Sequence, residues 1–218
     1  MNRKDLLLQK HLPTVMVPRF EPLPPLPENR SRLLMAKDGL WIEVKTPWGL
    51  FIKRIFESSR HLPYGSVRER TELLSGPIPI RFLEQFVNQA NGSSQRGLET
   101  AAWIIWSAEK GWEYLQLDIL ERTRGSVAFR WPELVPERHL VLDMHSHGAG
   151  PAFFSKTDNR SDQGTAHFSL VVGNCKGGRP LAELDMACRL CLAGFFFDYY
   201  EGQALGPYPR KALPCGIT

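Results

Sequence analysis

Alternating apolar and polar residues predict a β-hairpin near the start of the chain. Residues 40–45 and 50–56 each alternate in this way, and the turn-forming residues Thr46-Pro47-Trp48-Gly49 separate them. A period of two is typical of a strand that buries one face. We therefore expect two antiparallel strands joined by this turn.

The apolar pattern predicts one helix after the hairpin. Pro79 suits the first turn of a helix, and it precedes apolar residues with helical spacing: Ile80, Leu83, Val87 and Ala90. Asn91-Gly92 is typical of a helix end. The helix is therefore expected to end there.

The remaining apolar segments predict a sheet. Residues 103–106, Trp-Ile-Ile-Trp, form a fully apolar run that is typical of a central strand buried on both faces. Further strands are predicted over residues 115–119, 127–131, 140–144 and 168–173, and within 181–200 with a break near Gly194. A helix followed by strands indicates a mixed α/β domain rather than a β-sandwich.

Prolines set the N-terminal segment apart. They crowd a short stretch: Pro13, Pro18, Pro22, Pro24, Pro25 and Pro27. Proline fixes φ and removes a backbone donor, so we expect residues 1–38 to form an extended arm. The predicted organisation is this arm, a hairpin element with a linker over residues 39–76, and one main domain over residues 77–218.

Composition and charge exclude several classes of protein. With 43% hydrophobic and 23% charged residues, the chain is globular rather than disordered. Its net charge of +4 is spread along the chain, so no direct nucleic-acid binding is expected. No apolar run approaches the roughly 18 residues of a membrane span, and the first residues lack the apolar core of a secretory signal. We expect a cytoplasmic protein with free thiols at Cys175, Cys188, Cys191 and Cys215.

A candidate metal site follows the strand predicted over residues 140–144. His145 and His147 are two residues apart, and such residues on a strand point to the same face. Two imidazoles are two of the three protein ligands of a catalytic zinc ion, which keeps its fourth position open. Asp158 supplies the third if the Gly- and Pro-rich loop folds back over the strand end.

Two further residues suit a hydrolytic site. Glu99 directly precedes the buried strand and is the candidate general base. Ser155 is the candidate donor of a hydrogen bond to an oxyanion. Three rivals of Glu99 are expected on an exposed helix or turn: Glu84, Glu109 and Glu113.

Some of these residues also have a structural interpretation. Ser155-x-x-Asp158 matches a helix capping box, which is compatible with a metal role because a cap holds the carboxylate rigid. Glu99 has the alternative of a solvated carboxylate at a strand end. Cys188-x-x-Cys191 lacks the second pair that a zinc ribbon needs, so no structural zinc is expected there. Candidate partners of the ligating imidazoles are Asp143, Asp162 and His167, of which Asp162 is expected to face water.

The spacing of these residues resembles the signature of the JAMM (MPN/Mov34/JAB) metalloprotease family. Glu99 is followed by His145-x-His147, seven residues, Ser155, two residues and Asp158. The resemblance implies a JAB/MPN-like mixed sheet flanked by helices and Zn2+ held by the two histidines and the aspartate. It also implies that Glu99 is the base and that Ser155 stabilises the tetrahedral intermediate. Family members usually hydrolyse peptide or isopeptide bonds at the C-terminus of ubiquitin-like proteins.

A longer pattern resembles the A component of the bacterial PRTRC cassette. It comprises residues 63–65, 76–79, 101–104 and 151–155. This resemblance implies a ubiquitin-like protein or peptide tail as substrate and a ThiF-like cassette partner. One residue departs from the metalloprotease pattern, because many members have Pro after the second histidine where this chain has Gly148. We therefore expect a looser loop.

Three functions stay open at this level. The first is a zinc-dependent (iso)peptidase that binds the extended tail of a ubiquitin-like protein beside a sheet edge. The second is a non-catalytic scaffold of the same cassette, and the third is a zinc hydrolase of small amides. Replacing Glu99 distinguishes the enzymes from the scaffold.

Overall fold

The chain forms two compact units. The computed structural model describes residues 2–123 and 126–199. The first unit ends at Leu74 and the second begins at Ser75. No helix in these described ranges is long and apolar enough to cross a membrane.

A five-stranded sheet forms the first unit, after helix α1 (Arg3–His11). Its strands are β1 (Thr14–Met16), β2 (Arg30–Ala36), β3 (Gly39–Lys45), β4 (Gly49–Glu57) and β5 (Arg70–Leu73). They follow the chain order across the sheet, with β1 parallel to β2 and the other neighbours antiparallel.

The predicted hairpin is confirmed as β3 and β4. Lys45 pairs with Leu50 next to the turn, and the amide of Gly49 donates to the Thr46 hydroxyl over 2.9 Å. Ile42 and Phe51 are fully buried. The alternating pattern therefore identified both strands. β3 is buried on both faces rather than one, because Trp41, Ile42, Glu43 and Val44 are all buried.

The expectation of an extended arm over residues 1–38 is wrong for three parts of that segment, which form α1, β1 and β2. Strand β2 pairs with β3 over its whole length. Arg32 and Glu43 lie opposite each other in this pair and form a buried ion pair with a 2.6 Å separation. The last of the clustered prolines is Pro27, so nothing prevents residues 30–36 from joining the sheet. Residues 17–29, which carry most of the prolines, contain neither helix nor strand.

The second unit confirms the expected mixed α/β fold. Its strands are β6 (Ala101–Ser107), β7 (Gly111–Gln116), β8 (Asp118–Arg122), β9 (Val127–Arg130), β10 (His139–Ser146), β11 (His167–Gly173), β12 (Asp185–Leu192) and β13 (Phe195–Tyr199). Six of them form one sheet in the order β13-β12-β11-β10-β6-β7. Only β10 and β11 are parallel among these neighbours.

The predicted helix is α2 (Ile80–Ser94), and it begins directly after Pro79. It continues past Asn91-Gly92, where the sequence predicts its end. The Asn91 side chain donates to the carbonyl of Arg179 over 2.9 Å, and Ser93 is buried. Tertiary contacts thus extend the helix by part of a turn beyond the local signal. The buried strand predicted over residues 103–106 is confirmed as β6, which lies between β10 and β7.

The strand predicted over residues 115–119 is wrong in one respect, because the chain divides there. β7 ends at Gln116 and β8 begins at Asp118, with Leu117 between them. Leu117 is buried in an apolar cluster with Ala101, Trp103 and Ile105. The ribbon of β8 and β9 packs apolar side chains on the same cluster, so residues 127–130 belong to this ribbon and not to the main sheet.

A crossover connects the parallel strands β10 and β11. It spans residues 147–166 and contains helix α3 (Lys156–Ser161). Parallel neighbours cannot be joined by a tight turn, so the chain leaves the carboxyl end of β10 and returns over the sheet. Binding sites of open α/β sheets lie beyond the carboxyl ends of strands, which is where this crossover begins.

Gly173, the last residue of β11, lets the crossover pack closely against the sheet. A Cβ atom added at this position would clash with the amide nitrogen of Ala152 and would lie only 2.6 Å from the carbonyl oxygen of Gly150. We expect Gly173→Ala to lower the free energy of unfolding by about 1–3 kcal/mol in urea denaturation, since backbone must move. Gly164→Ala is the matched control, because a Cβ there meets no atom within 4 Å. Equal stability of the two variants contradicts this account.

Candidate metal centre

The two histidines lie side by side at the carboxyl end of β10. His145 is within the strand, and His147 directly follows its last residue, Ser146. The amide of His147 still donates to the carbonyl of Val172 on β11 over 2.8 Å, which continues the ladder. The centroids of the two imidazole rings are 5.2 Å apart. The spacing of two residues therefore presents both rings together, as the sequence predicts.

The His147 ring is held in one tautomer. Its Nδ1 lies 3.0 Å from the carbonyl oxygen of Pro151. A carbonyl only accepts hydrogen bonds, so Nδ1 carries the hydrogen and Nε2 keeps its lone pair. The ring also contacts Phe153 edge-on, with 4.6 Å between the ring centroids. This is the arrangement in which an imidazole serves as a metal ligand.

Asp158 reaches the histidines from the first turn of α3. Ser155 and Asp158 form the expected capping box, in which the Ser155 hydroxyl accepts from the Asp158 amide. In return, the Ser155 amide donates to Asp158 Oδ2 over 2.6 Å. The other oxygen, Oδ1, lies 3.5 Å from His145 Nε2. The cap thus occupies one carboxylate oxygen and directs the other at the histidines.

The three side chains offer a donor set that fits zinc. The ligating atoms of His145, His147 and Asp158 all lie within 4.8 Å of one another. Donors at about 2.0–2.1 Å from a tetrahedral zinc are separated by roughly 3.3 Å, close to the 3.5 Å between His145 Nε2 and Asp158 Oδ1. His145 Nε2 is buried and makes no hydrogen bond with any described residue. Burial lowers the pKa of His145, which favours the neutral form that binds metal.

The loop after His147 is hydrogen-bonded to the chain that follows β11. Gly148 has a φ of +53°, a conformation that proline cannot adopt. The Gly148 carbonyl accepts from the Cys175 amide over 2.8 Å, and the Gly150 carbonyl accepts from the Asn174 amide over 2.6 Å. Glycine thus permits a turn that these bonds to the chain after β11 hold in place.

Glu99 lies in the same cleft. It is 4% exposed and lines a cavity of about 470 Å³ together with His145, His147 and Asp158. Burial, and secondly the charge of Asp158, raise the pKa of Glu99 to about 7. A carboxyl group that titrates near neutrality is suited to both accept and release a proton. Glu99 is therefore not a solvated carboxylate at a strand end.

Ser146 positions Glu99, a role that the sequence did not indicate. The residue next to Glu99 is Thr100, whose amide donates to Ser146 Oγ over 3.1 Å. The amide of Ser146 donates to the Thr100 carbonyl over 2.9 Å. Because Ser146 stands between the two histidines, these bonds fix Glu99 relative to them. The rivals of Glu99 lie elsewhere: Glu84 and Glu109 are exposed, and Glu113 forms an ion pair with Arg138 at 3.3 Å.

The expectation that Asp162 faces water is wrong. Asp162 is 2% exposed, and its Oδ2 accepts from Nε and Nη2 of Arg189 over 3.1 and 2.6 Å. Burial alone raises the pKa of Asp162, but the hydrogen bonds and charges of His167 and Arg189 outweigh it and lower the pKa to about 2.

The hydrogen-bond partner of His147 is the Pro151 carbonyl rather than one of the expected carboxylates. Asp143 is buried along the same cleft, and burial is the main cause that raises its pKa to about 7.

A second group of metal-ligand types is an ionic network rather than a metal site. Asp162, His167 and Cys191 place their donor atoms within 4.8 Å of one another. The guanidinium of Arg189 already neutralises Asp162 and repels a cation. Burial also raises the pKa of the Cys191 thiol, which disfavours the thiolate that metals bind. Cys175 and Cys188, like Cys191, are buried and form no disulfide within the described residues, and Cys215 lies outside these residues.

Comparisons with known proteins find a matching family model in each unit. Residues 79–187 match the model of the prokaryotic homologs of the JAB domain, and residues 2–74 match a domain of unknown function, DUF2016. No curated protein matches the chain. Among solved structures, protein DSY2949 from Desulfitobacterium hafniense is similar at 12% identity, over 54% of this chain and 85% of its own, with a TM-score of 0.39.

The family match and the site cover the same part of the molecule. The matched segment contains Glu99, the crossover and α3, and it amounts to half of the 218 residues. The mixed sheet agrees with the fold expected for that family. The chain therefore belongs to the prokaryotic homologs of the JAB domain.

Proposed function

We propose that the second unit is a zinc-dependent hydrolase of a peptide or isopeptide bond, with His145, His147 and Asp158 as the metal ligands. The observation that carries this proposal is the convergence of two imidazoles and one carboxylate oxygen at a buried nitrogen that has no hydrogen bond. When bound, zinc polarises the scissile carbonyl group and lowers the pKa of a coordinated water to about 7.

Glu99 moves the proton in this proposal. Its position in the cleft beside the candidate ligands suits a base that accepts a proton from the attacking water. The same carboxyl group then protonates the leaving amine. Burial raises the pKa of Glu99, which helps the carboxyl group to keep the proton between the two steps.

Ser155 supports the oxyanion that forms when water attacks the carbonyl group. Its oxygen accepts from the amides of Thr157 and Asp158 over 3.2 and 3.3 Å. Both bonds use Ser155 as an acceptor, so its own hydroxyl hydrogen is available to donate. A donor that the helix cap already orients needs little reorganisation during the reaction.

The cleft suits an extended peptide as substrate. Residues 126–129, which include most of β9, line one wall of the cavity. β9 pairs with β8 along one edge, and no strand in the described ranges pairs with its other edge. An extended tail can add to such an edge through backbone hydrogen bonds. Trp131 and Phe153 line the same cleft and are each 53% exposed, which offers apolar contacts to the tail.

A ubiquitin-like protein is the substrate that we propose. The motivation is the resemblance of several segments to the A component of the PRTRC cassette, together with the open edge of β9. A ThiF-like protein is the proposed cassette partner. The competing scaffold function draws on the separate sheet of the first unit, residues 2–74, which contributes no ligand to the candidate metal group.

Zinc content tests the ligand assignment. We expect about one zinc ion per chain in the purified protein and almost none in His145→Ala, because two remaining ligands hold zinc weakly. Elemental analysis after desalting measures both. His61→Ala is the control, because His61 is an exposed histidine of the first unit. Equal zinc in wild type and His145→Ala contradicts the proposed site.

The Glu99→Gln variant tests whether the unit is an enzyme. We expect kcat to fall by about 10²–10⁴-fold while zinc is retained, since the amide cannot accept the proton. The assay measures release of a peptide fused to the tail of a ubiquitin-like protein, with small amides as alternative substrates. Glu84→Gln, at an exposed position of α2, is the control. Undiminished cleavage by Glu99→Gln contradicts the role of Glu99 as the base. No cleavage by wild type, together with cassette function that survives in Glu99→Gln, favours the scaffold instead.

The Ser155→Gly variant separates the cap of α3 from the oxyanion role of Ser155. Glycine is a tolerable N-cap residue that costs only a few tenths of a kcal/mol, but it has no hydroxyl. We expect kcat to fall by about 10²–10³-fold with little change in zinc content or thermal unfolding. A variant with normal kcat shows that Ser155 is only a cap.

A further inference from the structure

Helix α3 carries a candidate metal ligand but has little to stabilise it. It comprises six residues, Lys156–Ser161, and none of them is buried. Isolated helices of this length are not stable in water, and most helices in proteins gain their stability from a packed apolar face. The position of Asp158 therefore depends on contacts made by polar groups at the two ends of the segment.

Arg189 supplies such contacts at the C-terminal end of α3. This residue is on β12 and is 3% exposed. Besides its two bonds to Asp162, it donates from Nη1 to Asn159 Oδ1 over 2.6 Å. Asn159 is the residue after Asp158, and Asp162 caps the helix. One guanidinium thus binds α3 at two residues, Asn159 within the helix and Asp162 at its C-cap.

The same guanidinium binds the chain before α3. It lies over the Phe154 ring at 3.9 Å and over the Phe196 ring of β13 at 4.1 Å, measured to the ring centroids. Such contacts between a cation and aromatic faces are favourable, and more so when they are desolvated. Phe154 directly precedes Ser155. The contacts of Arg189 therefore enclose the segment from 154 to 162, which contains both the cap and the candidate ligand.

Arg189 is a buried charge within a part of β12 that has no other charged residue. Residues 186–192 read Met-Ala-Cys-Arg-Leu-Cys-Leu, so Arg189 is their single charged residue. An ion pair of this kind is often no more stable than apolar residues of similar volume. A planar fork with five donors does, however, fix the direction of what it binds.

We propose that Arg189 is a positioning residue that holds α3 against the sheet so that Asp158 meets His145 and His147. The part of this proposal that concerns metal rests on the proposed function. The part that concerns the order of residues 154–162 does not. Without the fork, Asp158 has to be ordered when metal binds, and the affinity decreases accordingly.

The Arg189→Lys variant tests the proposal, because lysine keeps the charge and loses the fork. In metal-free protein we expect faster hydrogen exchange at the amides of Asn159 and Asp162, which donate to the carbonyls of Ser155 and Asp158. The amides of β10 and β11 should exchange as in wild type. In chelator competition, we expect zinc affinity to fall by about 10–100-fold, as for other residues that orient a ligand. Arg32→Lys is the matched control, since it alters a buried ion pair of the first unit.

A double-mutant cycle distinguishes positioning from a general loss of stability. If Arg189 acts through Asp158, Arg189→Lys causes no further loss of zinc affinity when Asp158 is already alanine. An equal loss in both backgrounds overturns the proposal, as does unchanged exchange at Asn159 and Asp162. If Arg189→Lys does not fold, Asn159→Ala removes one of the bonds, and we expect about a fivefold lower affinity. Unchanged affinity and exchange in that variant also overturn the proposal. If the wild-type protein binds no zinc, the proposed function is wrong. The exchange rates of the metal-free protein then still decide whether Arg189 orders residues 154–162.

Discussion

In the capping box of α3, the Ser155 amide donates to Asp158 Oδ2 and the Ser155 hydroxyl accepts from the Asp158 amide. The two bonds leave one carboxylate oxygen and one hydroxyl hydrogen uncommitted, and the free oxygen, Oδ1, lies beside His145. A motif that usually only begins a helix thus determines which atoms face the cleft. The proposed ligand and the proposed oxyanion donor are therefore consequences of the same local geometry.

The topology of the sheet brings that geometry to the histidines. β10 is antiparallel to β6 on one side and parallel to β11 on the other. The antiparallel side places Thr100 beside Ser146 and so holds Glu99 near the end of β10. The parallel side requires a crossover, and the crossover contains α3. Glu99, the proposed proton acceptor, and Asp158, the proposed ligand, therefore reach the same strand end from opposite neighbours of β10.

The interior of the second unit near this site is unusually polar. Glu99, Asp143, Asp162 and Arg189 are all buried there. Burying such groups costs free energy unless each is paired, and perturbed pKa values of buried carboxyls are typical of functional sites. Only Asp162 and Arg189 neutralise each other directly. Glu99 and Asp143 line the cleft, and burial raises the pKa of both carboxyl groups. Buried carboxyl groups of this kind are expected where residues are kept for a functional site and not for stability alone.

The sequence by itself determined the features that depend on near neighbours along the chain. The hairpin of β3 and β4, the start of α2, the paired histidines and the capping box follow from periods of two and 3.6 residues and from local hydrogen bonding. Only the tertiary structure decided that residues 30–36 join the five-stranded sheet and that β8 and β9 form a ribbon outside the six-stranded sheet. It also decided that Asp162 is buried against Arg189. These features arise between residues far apart in the chain. Strand pairing and side-chain burial between such residues stabilise these features, and a local sequence pattern does not indicate either one.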